Sequence, residues 1–313
     1  MKIGDLAPEQ LQQRLGGSGL RVIIGPFIFF LRTTIPAYVA DFGFAYADFP
    51  ICNQHEVCDF RVRLTPAPNW RPWREARAEF WVDGFSPFGA FPRRLTMPHA
   101  EWGLNGCIFY YAHQFLMFHS AVVEKAGRAA ILAGPPGSGK STLCVALLAR
   151  GWRLLSDEFA LLDPARGWLL PIPRPVALKG PSIELAEKLL PECRIGRIFA
   201  HTRKGKLAHL RPPTDAVERQ EEPARPGWLI FPTHSSDAET KLVAIRKAAG
   251  FLRLEENCFN YRELGRTGFD ALSQLIDATK CYELPFAQAV EAAELVDRLA
   301  APQPVADLPL DAA

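Results

Sequence analysis

The sequence lacks the charge pattern of proteins that bind polyanions. Its 36 Lys and Arg residues face 34 Asp and Glu residues, so the net charge is only +2. No strong overall field therefore draws the chain towards nucleic acid or an anionic membrane. A basic stripe with interleaved aromatic residues is also missing. We therefore expect no nucleic-acid partner and no membrane partner.

Long apolar runs and a leader pattern are lacking as well. The most apolar run, residues 22–31, is interrupted by Gly25 and Pro26 and is too short to span a bilayer. The first residues, 1–5, lack the basic-then-apolar layout of a signal peptide. These two absences predict a soluble, cytoplasmic protein.

Paired cysteines are a third absence. The seven cysteines are odd in number and form no C-x-x-C pair, which fits a reducing cytosol better than a disulfide framework or a zinc site. Cys52 and Cys58 flank His55, but no second pair of ligands follows them. Ordinary thiols near a turn are therefore the better interpretation of this cluster.

One segment carries a clear chemical pattern. It has the spacing G-x-x-x-x-G-K-[ST] of a phosphate-binding loop and comprises Gly134, Pro135, Pro136, Gly137, Ser138, Gly139, Lys140, Ser141 and Thr142. The apolar residues 129–133 before it predict a buried strand, and residues 143–150 after it predict a helix that ends at Gly151.

The order strand, loop and helix favours a nucleotide site over a glycine-rich turn with a chance lysine. Glycines let the backbone N–H groups surround phosphate oxygens, and the helix N-terminus adds partial positive charge. Lys140 is then expected to reach the β- and γ-phosphates, and the Ser141 hydroxyl to ligate Mg²⁺. The predicted ligands are ATP and Mg²⁺.

An acidic pair follows the predicted P-loop helix. An apolar segment ends in Asp157 and Glu158, and a carboxylate at a strand end beside a phosphate site can hold Mg²⁺. Adjacent residues of a strand point to opposite faces, so the two acids should have different roles. The alternative is a solvated strand end.

Three segments together resemble the catalytic domain of HPr kinase/phosphorylase. They are residues 119–123 (HSAVV), the P-loop, and residues 150–158 (RGWRLLSDE). The resemblance is close over about residues 115–165 and is nearest to the HprK-related kinase group. It implies the P-loop fold shared with phosphoenolpyruvate carboxykinase, with a mixed sheet, and a homo-oligomer, since the related family forms hexamers.

The resemblance also implies roles for individual residues. His119 matches the family's active-site histidine, whereas a histidine in this setting is otherwise often a core residue. Lys140 and Ser141 match the phosphate and Mg²⁺ residues. Asp157 matches the general base that accepts the hydroxyl proton, and Glu158 matches a second, metal-supporting acid. The glycine-rich segment used for phosphate-driven dephosphorylation is absent, which argues against phosphorylase activity and against HPr as the substrate.

Arg174 and Lys179 lie in a proline-punctuated stretch after the acidic pair. An arginine or lysine offsets charge on the transferring group in phosphoryl transfer. Both residues are therefore catalytic candidates, with an ordinary surface loop as the open alternative.

We predict an α/β fold, α+β overall. Residues 1–96 form a small, mostly β domain, residues 97–301 a P-loop kinase domain with C-terminal helices, and residues 302–313 a flexible tail. Strands are expected in the segments 20–34, 39–46, 57–64, 79–82, 117–124 and 228–232, and helices in 5–16, 97–116, 241–256, 268–279 and 286–299. Residues 200–226 are expected to be a solvated loop or flap.

The predicted function is transfer of the γ-phosphate of ATP to a serine-type hydroxyl of a protein or peptide. A small-molecule hydroxyl acceptor is a variant of this hypothesis. An ATP-binding or ATPase module that acts through partners is an alternative of another class.

Overall fold

The computed structural model describes residues 1–53, 55–68, 75–192, 194–202 and 205–301. A five-stranded sheet forms the N-terminal part of the protein, with its strands in chain order. These strands are β1 (Leu20–Ile24), β2 (Phe27–Thr33), β3 (Phe60–Pro66), β4 (Arg77–Val82) and β5 (Phe91–Pro92). Buried and exposed residues alternate along β3, so only one of its faces contributes to the core.

Three helices belong to the same part of the fold, namely α1 (Pro8–Gly16), α2 (Pro36–Ala45) and α3 (Thr96–Tyr111). Their buried residues share one hydrophobic cluster with the inner face of the sheet. Leu104 and Ile108 of α3 are members of that cluster, although α3 was assigned by sequence to the second domain. The domain boundary near residue 97 stays a prediction.

The predicted strand 39–46 is wrong, because this segment lies in α2. Pro36 occupies the start of the helix, where its fixed φ and missing N–H are tolerated. Tyr38, Phe42 and Tyr46 are four residues apart and stack with ring centroids 5.8 and 4.8 Å apart. Phe42 and Phe44 suggested a period of two, whereas the buried face follows the period of a helix.

The remaining strands are β6 (Leu116–Lys125), β7 (Arg128–Ala133), β8 (Arg153–Ser156), β9 (Phe159–Asp163), β10 (Trp168–Leu170), β11 (Val176–Lys179), β12 (Phe199–Thr202), β13 (Gly205–Leu210), β14 (Arg225–His234), β15 (Val243–Ala244) and β16 (Lys280–Phe286). The remaining helices are α4 (Lys140–Leu148), α5 (Pro181–Leu189), α6 (Thr214–Glu218), α7 (Lys247–Glu255), α8 (Tyr261–Ala278) and α9 (Ala289–Ala300).

An eight-stranded sheet organises the second part, in the order β10-β9-β6-β7-β14-β16-β15, with β8 also paired to β6. Strands β7, β14 and β16 are parallel, whereas β6 is antiparallel to β7, β8 and β9. The mixed sheet expected from the sequence is present. Its alternating side chains enter two clusters: Leu132 packs with α4 and α9, and Ile131 with α8. The sheet is therefore a middle layer between helices.

Residues 200–226 are more ordered than the sequence predicted. Strand β13 lies between β11 and β12 in a three-stranded sheet, and Leu207, Ala208 and Leu210 are buried. The charges of this segment had suggested a solvated loop. Residues 203 and 204 lie outside the described part of the chain.

One strand and one helix start in the C-terminal part also differ from the prediction. Strand β16 was missed because Glu283 and Pro285 interrupt its apolar pattern, although the strand pairs in parallel with β14. The helix expected from residue 241 begins at Lys247.

The tail 302–313 lies outside the described residues. None of the described helices has the length and apolar character needed to cross a bilayer.

Candidate functional site

The loop between β7 and α4 has the backbone of a phosphate-binding loop. Gly134, Gly137 and Gly139 have φ values of +148°, +89° and +95°, a region that L side chains rarely adopt. A Cβ on Gly139 would lie 2.6 Å from Phe286 Cζ, so glycine is also required there by close packing. A Cβ on Gly137 would meet no atom within 4 Å. This part of the loop therefore faces open space that a ligand can occupy.

Lys140 is held against its own loop. It is 7% exposed, and its ammonium group donates hydrogen bonds to the carbonyl oxygens of Gly134 at 2.6 Å and Pro135 at 3.1 Å. Burial lowers the pKa of Lys140, while the carboxylates of Glu158 and Asp157 oppose that effect. The cation is thus already positioned at the loop by neutral carbonyl groups, which an anionic ligand can replace.

Asp157 lies directly after β8 and is 7% exposed. Its Oδ2 accepts hydrogen bonds from the Ser141 hydroxyl at 3.2 Å and the Ala177 N–H at 3.4 Å. Its Oδ1 is buried and has no hydrogen-bond partner among the described residues. Burial, and then the charge of Glu158, raise the pKa of Asp157 to about 7. A buried carboxyl with one oxygen unpartnered is suited to a metal ion or to an incoming proton.

Glu158 has a different neighbour from Asp157. Its Oε2 lies 3.5 Å from Nδ1 of His119, a residue of β6 whose backbone N–H donates to the Asn257 carbonyl at 2.8 Å. Burial lowers the pKa of His119, and the nearby Glu158 carboxylate opposes this. The two acids lie in the bend after β8 and contact different groups, Asp157 the P-loop helix and Glu158 the histidine.

Lys179 and Arg174 have different settings. Lys179 ends β11 and is exposed, and among the described residues its side chain forms no ion pair. Arg174 is 8% exposed and pairs with the Glu101 carboxylate at 2.8 Å and the Asn105 side-chain oxygen at 2.6 Å. Burial alone would lower the pKa of Arg174, but Glu101 and Tyr46 raise it above its ordinary value.

A cleft of about 250 Å³ joins most of the predicted site residues. It is lined by His119, Pro136, Gly137, Gly139, Lys140, Ser141, Thr142, Asp157, Glu158, Ala177, Lys179 and Ser182. Gly134, Pro135 and Ser138 build the loop without lining the cleft, and Arg174 lies in a neighbouring pocket. Sequence reasoning missed Ala177 and Ser182; the helix-start pattern Gly180-Pro181 could have drawn attention to Ser182.

The donor set fits Mg²⁺. The Ser141 hydroxyl and the carboxylates of Asp157 and Glu158 offer only oxygen ligands, which this ion prefers. Within the described ranges, no group of three or more His, Cys, Asp or Glu residues could hold a metal ion by itself. Mg²⁺ is commonly held by one or two carboxylates together with substrate phosphates.

Comparison with solved structures finds similar chains, whereas two other comparisons find none. No family model matches the chain, and no curated protein does. A solved structure of the HPr(Ser) kinase/phosphatase from Coxiella burnetii is similar, with 13% sequence identity and a TM-score of 0.27. The match covers 58% of this chain and 96% of that one. The relationship to this structure is distant.

Proposed function

We propose that the protein is an ATP- and Mg²⁺-dependent kinase of the HPr kinase-related type that phosphorylates a serine-type hydroxyl of a protein or peptide. One observation carries the proposal. Asp157, a buried carboxyl whose pKa is raised to about 7, lies within 3.2 Å of the P-loop hydroxyl of Ser141. A proton acceptor thus adjoins the phosphate-binding loop, as transfer to a hydroxyl requires.

The P-loop accounts for nucleotide binding. Its positive-φ glycines and the N-terminus of α4 favour the phosphates, and Lys140 exchanges its carbonyl partners for phosphate oxygens. Ser141 and Glu158 are the residues that would hold Mg²⁺, which leaves the Asp157 carboxyl to act as the base. The ion when bound would offset charge on the β- and γ-phosphates.

Asp157 acts as the general base. The acceptor oxygen attacks the γ-phosphorus, the bond to the bridging oxygen of ADP breaks, and the acceptor proton passes to Asp157. A base is most effective when its pKa lies near the working pH, and burial provides this for Asp157. The unpartnered Oδ1 is the atom that receives the proton.

His119 and Lys179 complete the proposed machinery. Lys179 lines the cleft without an internal ion pair among the described residues, so its charge can stabilise the transferring group. His119 contacts Glu158 and orients that carboxylate. Arg174 is not assigned to direct charge stabilisation in this proposal, because its guanidinium group pairs with Glu101.

The decisive experiment compares Asp157→Asn with the unaltered protein. Both are incubated with γ-labelled ATP and a lysate of the source organism. The substitution keeps the shape of the side chain but removes the base, so transfer should fall by about 10²- to 10⁴-fold while nucleotide affinity is retained. Asp163→Asn is the matched control, because Asp163 lies at the end of β9 outside the cleft.

A labelled polypeptide band that disappears with Asp157→Asn supports the kinase. Labelled free phosphate without any labelled acceptor would instead support an ATPase module that acts through partners. Normal transfer by the Asp157→Asn protein would show that Asp157 is not the base.

A further inference from the structure

The phosphate cleft continues towards the N-terminal sheet through two further pockets. A narrow passage of about 30 Å³ shares Glu158 and Lys179 with the cleft. The passage in turn shares Trp102 and Thr202 with an outer pocket of about 560 Å³. We call the cleft, the passage and the outer pocket together the acceptor groove. The groove therefore extends from the catalytic acids to the β-rich part of the protein.

The passage contains buried polar atoms without partners. Within the described part of the chain, Arg174 Nε and His209 Nδ1 form no hydrogen bond, and His209 is only 4% exposed. Burial lowers the pKa of His209, so its ring is neutral at pH 7 and can donate or accept. Both atoms are shielded from solvent, so a peptide backbone in the passage can hydrogen-bond to them only after a small rearrangement of the lining.

The outer pocket combines an aromatic floor with a cationic rim. The ring of His99 stacks on the ring of Phe91, with the two centroids 4.1 Å apart, and its centroid lies 5.0 Å from that of Trp102. Arg77 and Arg94 also line this pocket, and no carboxylate of a described residue does. A pocket of this kind favours a negatively charged side chain.

Both arginines can engage a ligand. Arg94 pairs with Glu75 at 2.5 Å, but each side chain is about half exposed, and exposed pairs of this kind contribute little to stability. Arg77 uses one of its N–H groups on the Ala90 carbonyl, which leaves further guanidinium donors. Carboxylates are therefore expected to compete for both guanidinium groups.

We propose that the acceptor groove binds an extended segment of the acceptor polypeptide that places one acidic side chain in the outer pocket. The hydroxyl lies at Asp157, the backbone fills the passage, and a carboxylate side chain near the hydroxyl occupies the outer pocket. The proposal rests on the kinase function above and names its substrate class. A compact small molecule could fill either end of the groove, but only a chain with a narrow backbone occupies both ends through so small a passage.

The test uses fluorescent peptides of about ten residues. Each contains one serine in an alanine and glycine background, with a single glutamate placed in turn at each flanking position; a matched series carries lysine instead. Transfer from ATP gives kcat and KM, and fluorescence anisotropy gives binding without turnover. Glutamate at one or two positions should lower KM by about tenfold relative to lysine, with kcat nearly unchanged.

A charge reversal makes the assignment specific. The double variant Arg77→Glu, Arg94→Glu should bind nucleotide normally and prefer the lysine peptides, a gain that misfolding cannot produce. Arg61→Glu is the matched control, because Arg61 is an exposed arginine of β3 in the same sheet but does not line the groove. The control should keep the preference for glutamate.

The outcomes separate the groove from the kinase proposal. Transfer without a glutamate preference, or a preference that survives the double reversal, overturns the groove and leaves the kinase intact. Selective binding of glutamate peptides without any transfer, lost on the double reversal, supports the groove and counts against the kinase. Neither binding nor transfer with any peptide overturns the groove.

Discussion

The Ser141 hydroxyl donates a hydrogen bond to Asp157 Oδ2 across 3.2 Å. The contact joins the first turn of α4 to the residue that follows β8, so the nucleotide loop and the proposed base form one unit. Asp157 is further held by the N–H of Ala177 in β11. Elements on three sides of the cleft thus fix the position of a single carboxyl group, which is the preorganisation that a general base needs.

Lys140→Ala should abolish productive nucleotide binding. The truncated residue can no longer place a cation at the phosphates, so we expect affinity for ATP to fall by about 100-fold or more. Isothermal titration with ATP and Mg²⁺ measures the effect. Lys188→Ala is the control, since Lys188 is an exposed lysine of α5 outside the cleft. Unchanged affinity of the Lys140→Ala protein would remove this loop from the nucleotide site.

Asp157 should make the metal- and nucleotide-free protein less stable as pH rises. Its pKa is about 7 in the folded protein and 3.8 ordinarily, so the folded state holds the proton more tightly than the unfolded state. The stabilising contribution of the bound proton to the free energy of unfolding is complete below about pH 4 and is lost as pH rises towards 7. The total loss is a few kcal/mol at most. Asp157→Asn cannot lose a proton and should remove this slope.

Urea unfolding in EDTA at pH 5 and pH 8 tests that relationship. Asp41, whose pKa is also raised by burial, contributes equally to both proteins and cancels in the comparison. The same pH slope in Asp157→Asn as in the unaltered protein would mean that Asp157 does not carry the shifted pKa.

The parts of the site that could be predicted from sequence are those whose signal is local. The strand, the glycine loop and the helix of the P-loop are contiguous, and Asp157 follows within one strand. By contrast, Arg174 owes its setting to Glu101, which lies 73 residues away in α3. The proline-rich sequence around Arg174 does not indicate that partner. The sequence therefore predicted the same catalytic role for Arg174 and Lys179, although only Lys179 lines the cleft.

In the fold, too, elements with a local sequence signal were predicted and elements that depend on distant partners were not. The hairpin of β1 and β2 follows from alternating apolar residues around Gly25-Pro26, a signal contained in the segment itself. Helix α2 and strand β16 owe their structure to tertiary partners, the N-terminal hydrophobic cluster for α2 and β14 for β16. Tertiary packing overrides local propensity in such segments.

Substitution of Arg174 should lower the stability of the protein, whereas substitution of Lys179 should lower phosphate transfer. Arg174→Met leaves the buried Glu101 carboxylate without its cationic partner, with only the Tyr46 hydroxyl, among the described residues, still donating to its side chain. We therefore expect the free energy of unfolding to fall by about 3–5 kcal/mol. Lys179→Met alters an exposed side chain, so stability should change by less than about 0.5 kcal/mol while phosphate transfer falls. Chemical denaturation and transfer assays on the two variants measure this contrast.

A second substitution tests whether the unpaired Glu101 charge causes the loss of stability in Arg174→Met. Glu101→Gln removes the uncompensated charge, so the double variant with Arg174→Met should regain part of the lost stability. Normal stability of Arg174→Met together with lost transfer would instead return Arg174 to a catalytic role.

Gly139→Ala should destabilise the protein more than Gly127→Ala does. Both glycines have positive φ, +95° and +76°, so each substitution adds backbone strain of about 1 kcal/mol. A Cβ at residue 139 would also lie 2.6 Å from the Phe286 ring, whereas one at residue 127 meets no atom within 4 Å. The additional loss should be about 1–3 kcal/mol, measured by urea unfolding. Phe286→Leu in the Gly139→Ala background should recover part of it, and equal losses for the two alanine variants would show that the ring contact does not require glycine.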